Sequence, residues 1–342
     1  MQPQSRRITI VDVARHAQVS TTAVSKVLRN AYGTSPTMRA KVQASIAELG
    51  YRPHAGARAM RGQTYTVGVL VPDLRNPFFP DILDGVDDQL RDTDYQVLLG
   101  PSHCNGERAE ARVIDAMIDR GMDGVVLIAP VVPRPHLERI ARMVPTVVVG
   151  RHGRSTAYDT VADDDTAGAA LIVDHLAGLG HRHIAHIEHH ETNPIRLAEM
   201  PNAIRAEGYR AAMQAHGLDP DIVSTSYTRD GGYLGAQQLL ARSRLPTAIF
   251  AGADVVAMGV LEALTEAGLS VPGDISVAGY DNTAFAALGP ISLTSVDQAG
   301  RHIGGTAARL LLDRIADRER PTAQVKLSPT LVVRHSTAAP PA

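Results

Sequence analysis

Four polar side chains within ten residues are spaced to do chemistry together. In VSTTAVSKVL, Val19 to Leu28, Thr21, Thr22, Ser25 and Lys26 recur at i, i+1, i+4 and i+5, which on a helix places them on one face. Val24, Val27 and Leu28 fall at i, i+3 and i+4 and form an apolar stripe on the opposite face. Threonine offers a hydroxyl to base acceptors and a methyl to thymine, and lysine donates to guanine O6 and N7. The face therefore has the chemistry to read base edges. Its bland alternative is a solvated helix surface.

The elements around it decide between the two. Thr9 and Asp12 make a capping-box start (T-x-x-D) for a helix over about 10–17, with Ile10, Val13, Ala14 and Ala17 at helical spacing. A turn at Gln18 and Val19 leads to Ser20, an N-cap, and a second helix over about 21–28. Ser35 and Pro36 open a third helix that runs to Leu49 and stops at Gly50. Two short helices joined by a tight turn and braced by a third make a helix-turn-helix unit. Charge agrees: residues 1–62 carry a net +8 and the remainder a net −10. A basic module on an acidic partner is the footprint of a nucleic-acid-binding domain.

ITIVDVARHAQVSTTAVSKVLRN, SPTMRAKVQASIAELGYRP and ARAMR, spanning residues 8–61, closely resemble the DNA-binding head of the lactose-repressor/purine-repressor family of bacterial transcription regulators. The resemblance implies that Thr21, Thr22 and Lys26 read bases, and that Thr9, Ser20 and Ser25 meet phosphates, with Arg29 beside them. Lys26 stands where relatives often carry Arg or His, so the operator sequence does not transfer. The resemblance also makes YRPHAGARAMRG a hinge helix that folds on DNA. Met60 occupies the minor-groove wedge position, where Leu is usual, flanked by Ala57 and Arg58. Gly56 lies inside that helix and weakens it.

From Tyr65 onward, short apolar runs alternate with helical patterns. YTVGVLV, YQVLLG, GVVLIA and TVVVG come first; HIAHI, DIVSTSY, TAIFAG and DISVAGYD follow after about residue 160. Runs of this kind read as buried parallel strands, hence a doubly wound α/β core with two lobes and a cleft at the strand ends. LTSVDQAGRHIGGTAARLLLDRIADR reads as one amphipathic helix, with Ile303, Ala307, Leu310, Leu311 and Ile315 on its apolar face, followed by an extended run. The resemblance continues to about residue 336, where the chain is similar to that family's effector core and to periplasmic sugar-binding proteins. It implies effector contacts at Phe78, Phe79, Arg205, Tyr227 and Asp281, with Arg151 and Asp254 as weaker candidates. Aromatic faces, a guanidinium fork and a carboxylate suit a small polar ligand. EHHETNPIRLAEMPNAIR, 188–205, is longer than the matching loop of relatives and borders the cleft.

The expected fold is an all-α helix-turn-helix head on an α/β periplasmic-binding-protein-like core of two doubly wound lobes. The expected boundaries are 1–52 for the head, 53–62 for the hinge and 63–338 for the core, its lobes being 63–160 with 283–297, and 161–282 with 298–338. The single cysteine, Cys104, excludes an internal disulfide and a cysteine zinc site and fits a cytoplasmic protein. The N-terminus lacks the pattern of a secretory signal, and no apolar run is long enough to span a membrane. The histidines at 181, 183, 186, 189 and 190 raise metal binding, but His183 and His186 alternate out of phase, so surface or pocket histidines are expected and no metal or other cofactor. GGYLGA at 231–236 lacks the spacing of a phosphate loop, and no nucleophile-base set appears, so no enzyme is expected. The resemblance implies a repressor that binds a roughly palindromic double-stranded DNA operator and a small-molecule effector, most commonly a sugar. A tail without leucine heptads points to a homodimer. A solute-binding protein and a regulator controlled by a protein partner are the alternatives.

Overall fold

The computed structural model describes residues 8–28, 32–51, 63–102, 106–189 and 199–341. The chain divides into two compact units, Met1–Thr64 and Tyr65–Ala342.

The small unit holds α1 (Ile10–His16), α2 (Thr21–Leu28) and α3 (Pro36–Leu49). Thr9 and Asp12 form the capping box in full, and Ser35 caps α3 by accepting from Met38 N at 3.2 Å. Gln18 takes φ 55° to make the turn between α1 and α2, and Gly50 ends α3 at φ 59°. Val13, Ala14, Ala17, Val24, Val27, Val42 and Tyr51 close the core.

The large unit opens with β1 (Thr66–Val71), α4 (Phe78–Leu90), β2 (Gln96–Pro101), α5 (Glu107–Asp119), β3 (Gly124–Ile128), α6 (Arg134–Met143), β4 (Thr146–Val149) and β5 (Asp159–Asp163). It continues through α7 (Asp165–Gly178), β6 (Ile184–His189), α8 (Pro201–Ala215), β7 (Asp221–Thr225), α9 (Arg229–Leu240), β8 (Ala248–Ala251), α10 (Asp254–Glu266), β9 (Ser276–Tyr280), β10 (Thr294–Asp297), α11 (Gly300–Ala316), β11 (Gln324–Leu327) and β12 (Thr330–Val332). Two six-stranded sheets result, ordered β11-β5-β4-β3-β1-β2 and β12-β10-β9-β8-β6-β7. Every pairing is parallel except β10 with β12. Each sheet carries an apolar core on both faces, as doubly wound sheets must.

Two sequence expectations are corrected and one strand is added. The segment from Leu293 is not one helix: Thr294–Asp297 is β10, and only Gly300–Ala316 is helical. β5, DTVAD, lacked an apolar run, yet it is wholly buried inside the first sheet. The C-terminal segments, apart from β12, belong to the opposite lobes. β10 extends the second sheet, whereas α11 packs on α4 and β11 pairs with β5 in the first. The chain therefore crosses between lobes after β5, after β10 and after β11.

Helix crossings in both lobes depend on glycine. A Cβ at Gly85 of α4 would stand 1.9 Å from Arg301 O of α11, and one at Gly304 would stand 1.9 Å from Ile82 O. GGYLGA proves to be helical, within α9, where a Cβ at Gly232 would meet Val256 O of α10 at 2.0 Å. Its glycines bring two backbones together.

Candidate DNA-reading face and effector cleft

In the small unit the apolar stripe of α2 faces inward, with Val24 and Val27 buried, and leaves Thr21, Thr22 and Lys26 exposed and Ser25 half-buried. Ser20 accepts from Ala23 N at 3.1 Å, so its hydroxyl proton is still available to an acceptor outside. Thr9 is more occupied: its hydroxyl accepts from Asp12 N and donates to Asp12 Oδ2 at 2.7 Å. The exposed row therefore presents two hydroxyls, two methyls and one ammonium. Arg29, Ala57, Arg58, Met60 and the whole hinge 53–62 lie outside the described residues.

In the large unit the candidate effector residues follow the carboxyl ends of parallel strands, where open α/β sheets bind ligands. Arg151 and His152 follow β4, Tyr227 follows β7, Asp254 follows β8 and Asp281 follows β9. Among the described residues, four of the seven non-glycine residues with left-handed backbone stand at such ends: Ala129, Asp281, Asn282 and Ala299. Conformations of this cost persist where the surrounding structure enforces them, commonly at binding sites.

Arg205, on α8, is the hub. Its Nε and one terminal nitrogen donate to Asp165 Oδ1 at 3.1 and 2.7 Å, and the other terminal nitrogen donates to Gly252 O. Its guanidinium lies 3.5 Å over the Tyr280 ring and 6.0 Å from the Tyr227 ring. The second Asp165 oxygen takes His152 Nε2 at 2.7 Å. The fork that family resemblance offers to a ligand is thus largely held by protein groups.

Asp281 is 5% exposed; Gln298 donates to its Oδ1 at 2.5 Å, while Oδ2 is buried without a partner. Burial and the neighbouring Asp254 push its pKa well up. The Tyr227 hydroxyl is likewise buried and unsatisfied, and burial raises its pKa. A buried polar atom without a partner is costly, so each is a place where a ligand's hydrogen bond is worth most.

Asp254 differs from expectation. It is fully buried, and its oxygens accept from Thr283 N at 2.7 Å, Thr283 Oγ1 at 2.9 Å and Ser295 Oγ at 2.6 Å. It fixes the turn that carries Asp281, at a cost in desolvation that raises its pKa to about 6. Arg151 is similarly engaged, donating to Pro130 O at 3.2 Å, Val132 O at 2.6 Å and Glu199 Oε2 at 2.8 Å. Phe78 is buried in the first lobe's core, its ring edge beside Gly300, whereas Phe79 is half-buried with its ring 6.0 Å away.

The acidic run separates into three roles. Asp164 caps α7 by accepting from Ala167 N, Asp165 holds Arg205, and Asp163 accepts from Tyr280 OH at 2.7 Å. Burial, with Asp165 nearby, raises Asp163 to about 7. Sequence reading missed Gln298, His152, Asp165 and Tyr280 as partners of this site. Gln298 lay inside the quoted LTSVDQ, and the others needed contacts between distant segments.

The histidines occupy separate environments. His183 pairs with Asp221 at 3.0 Å, and His186 is buried against Phe250, its Nδ1 donating to Phe250 O at 3.0 Å, with burial lowering its pKa to about 3. His190 is outside the described residues. Among the described residues no His, Cys, Asp and Glu side chains group to hold a metal, and no helix is long and apolar enough to cross a membrane.

Comparison with known proteins matches residues 9–54 to bacterial regulatory proteins of the lacI family and residues 173–337 to a periplasmic binding protein-like domain. The ribose operon repressor of Escherichia coli (strain K12) is 35% identical over 337 residues, covering 96% of this chain and 99% of that protein. The lac repressor dimer bound to operator and the anti-inducer ONPF superposes with a TM-score of 0.81 at 25% identity, covering 98% of this chain and 100% of the other. A LacI family regulator from Enterococcus faecium with bound ribose gives 0.70 at 30% identity, covering 80% of this chain and 99% of the other. Similarity of this extent, joined to an exposed polar row on a helix-turn-helix and a two-lobed α/β core, settles the family: the chain belongs to the lacI family of bacterial regulatory proteins, DNA-binding regulators of transcription.

Proposed function

We propose that this regulator is a cytoplasmic homodimeric repressor, not an enzyme, whose operator affinity is set by a small uncharged, hydroxyl-rich effector, a sugar, bound in the cleft of the core. Thr21, Thr22 and Lys26 read bases; Ser20, Ser25, Thr9 and Arg29 hold phosphates; Ala57, Arg58 and Met60 engage the minor groove. The observation that carries the DNA reading is the exposed row of α2 above its buried valines. Self-association is supported by the edge strand β2, which among the described residues has a neighbour only in β1 and leaves Leu98 and Leu99 44% and 48% exposed.

For the effector, charge decides. Arg205 is paired with Asp165 and Arg151 with Glu199, the Arg151 nitrogen that makes no hydrogen bond still standing 2.8 Å from the Glu199 carboxylate, whereas Asp281 Oδ2 and Tyr227 OH are among the buried atoms without partners. Phosphate or carboxylate would find its cations already neutralised, but a ligand hydroxyl meets an acceptor and a phenol. Phe79 and Tyr227 supply apolar faces.

Thermal denaturation of the protein with a panel of sugars, sugar phosphates, nucleosides and polyols tests this. At a hundredfold excess over Kd a ligand adds about 2.7 kcal/mol. A neutral sugar should raise Tm by a few degrees, and Asp281→Asn should abolish the shift. Stabilisation by phosphorylated ligands alone would refute the charge argument.

A further inference from the structure

One lip of the cleft carries a charge cluster that the effector reading leaves unused. Glu199, on the second lobe just before α8, has a side chain only 14% exposed and reaches the first lobe. Arg151 places Nε and a terminal nitrogen each 2.8 Å from its Oε2, and Arg134, the first residue of α6, donates to its Oε1. His152 N donates to the Glu199 backbone oxygen at 2.8 Å. Arg134 is itself braced by Arg154 O at 3.2 Å. Glu199 of the second lobe thus takes two guanidinium groups of the first on its carboxylate and a backbone amide of the first on its carbonyl oxygen. Beside it, His152 joins Asp165, which holds Arg205.

Hydrogen bonds weaken steeply with distance, so separation of the lobes by a few ångströms at this lip breaks all of these contacts together. Buried charges whose partner is withdrawn are strongly penalised, which makes the contact two-state: made, or opened and rehydrated. From this we infer that Glu199, Arg134 and Arg151 form an interlobe latch by which the protein's own charges hold the cleft shut at this lip, so that effector binding acts on a core already biased toward closure. The latch stands on contacts within the protein; only its regulatory consequence rests on the cleft being the effector site. Breaking it enlarges the population that must be closed by the ligand, and effector affinity falls by the same factor.

Amide hydrogen exchange on the full-length protein, with no sugar added, tests the latch directly. Glu199→Gln keeps the shape and removes the charge, and Arg134→Gln removes the partly exposed cation while leaving the buried Arg151 in place. Each should speed exchange across residues 151–154 by about tenfold, the remaining chain being unchanged, because the His152 amide is one of the latch bonds. The double variant should exceed neither single by much, as expected for groups acting on one event. Unchanged exchange at 151–154, additive effects, or a uniform acceleration over the whole chain would each overturn the proposal. Since no ligand enters the measurement, a cleft that bound no sugar would leave this result standing.

Discussion

At the scale of residues, the two sites differ in how their polar atoms are used. Thr21, Thr22 and Lys26 of α2 are exposed, whereas nearly every charge in the cleft is paired, and Asp281 and Tyr227 are among the residues with unmet atoms. In DNA-binding assays Thr22→Ala should relax preference at one base pair, costing about 1–3 kcal/mol against the cognate site. Ser25→Ala should instead weaken all sequences alike, because phosphate contacts carry no base information. The raised pKa of Asp163 also makes a prediction. The folded protein binds that proton up to about pH 7, the unfolded chain only to its ordinary value of 3.8. Its contribution to stability is full at low pH and is lost as pH rises through 7. Asp163→Asn should remove that share of the decline, so that Tm between pH 5 and 8 falls less than in the wild type. An identical slope would place the titration elsewhere.

At the scale of elements, the head was nearly fully legible in the sequence, because caps, turn and helical stripes are local: Thr9, Ser20, Ser35 and Gly50 act within a few residues of themselves. Strands built of unbroken apolar runs, such as TVVV and GVVLI, were equally plain. β5 and β10 were not, because DTVAD and TSVD bury polar side chains whose partners come from distant parts of the chain. Asp159 meets Arg314, and Ser295 meets Asp254. The same distance hid Asp254's scaffolding role and placed Phe78 in the core where sequence proposed a ligand contact. Glycine crossings were legible only as a count of glycines. Gly304→Ala should destabilise the large unit by about 3 kcal/mol or more, read in urea unfolding, because the new methyl meets a backbone carbonyl that cannot rotate away. Gly217→Ala tests a different cost, since nothing stands within 4 Å of its added Cβ but φ is +67°.

At the scale of the molecule, the interleaved topology matters most. The chain crosses between the lobes three times, and α11, entered from β10 of the second lobe, packs on α4 of the first. β1 and α4 of the first lobe are the first elements after residue 64. By reciprocity, operator DNA must change effector affinity by the same factor as effector changes operator affinity. Sequence indicated two lobes and placed the strand at Thr330–Val332 in the correct one, but assigned 283–297 and the α11–β11 segment to the wrong ones, because local pattern contains no information on which sheet a strand joins. Acting together, the two sites would give effector-controlled reading of a specific DNA sequence. Selection of binding sites from random and genomic DNA by the full-length protein, repeated with the neutral sugar that stabilises it, measures both sites at once. The predicted result is one enriched, roughly palindromic site whose enrichment changes with the sugar and whose preference is altered by Thr22→Ala; no enriched sequence under any condition would contradict it.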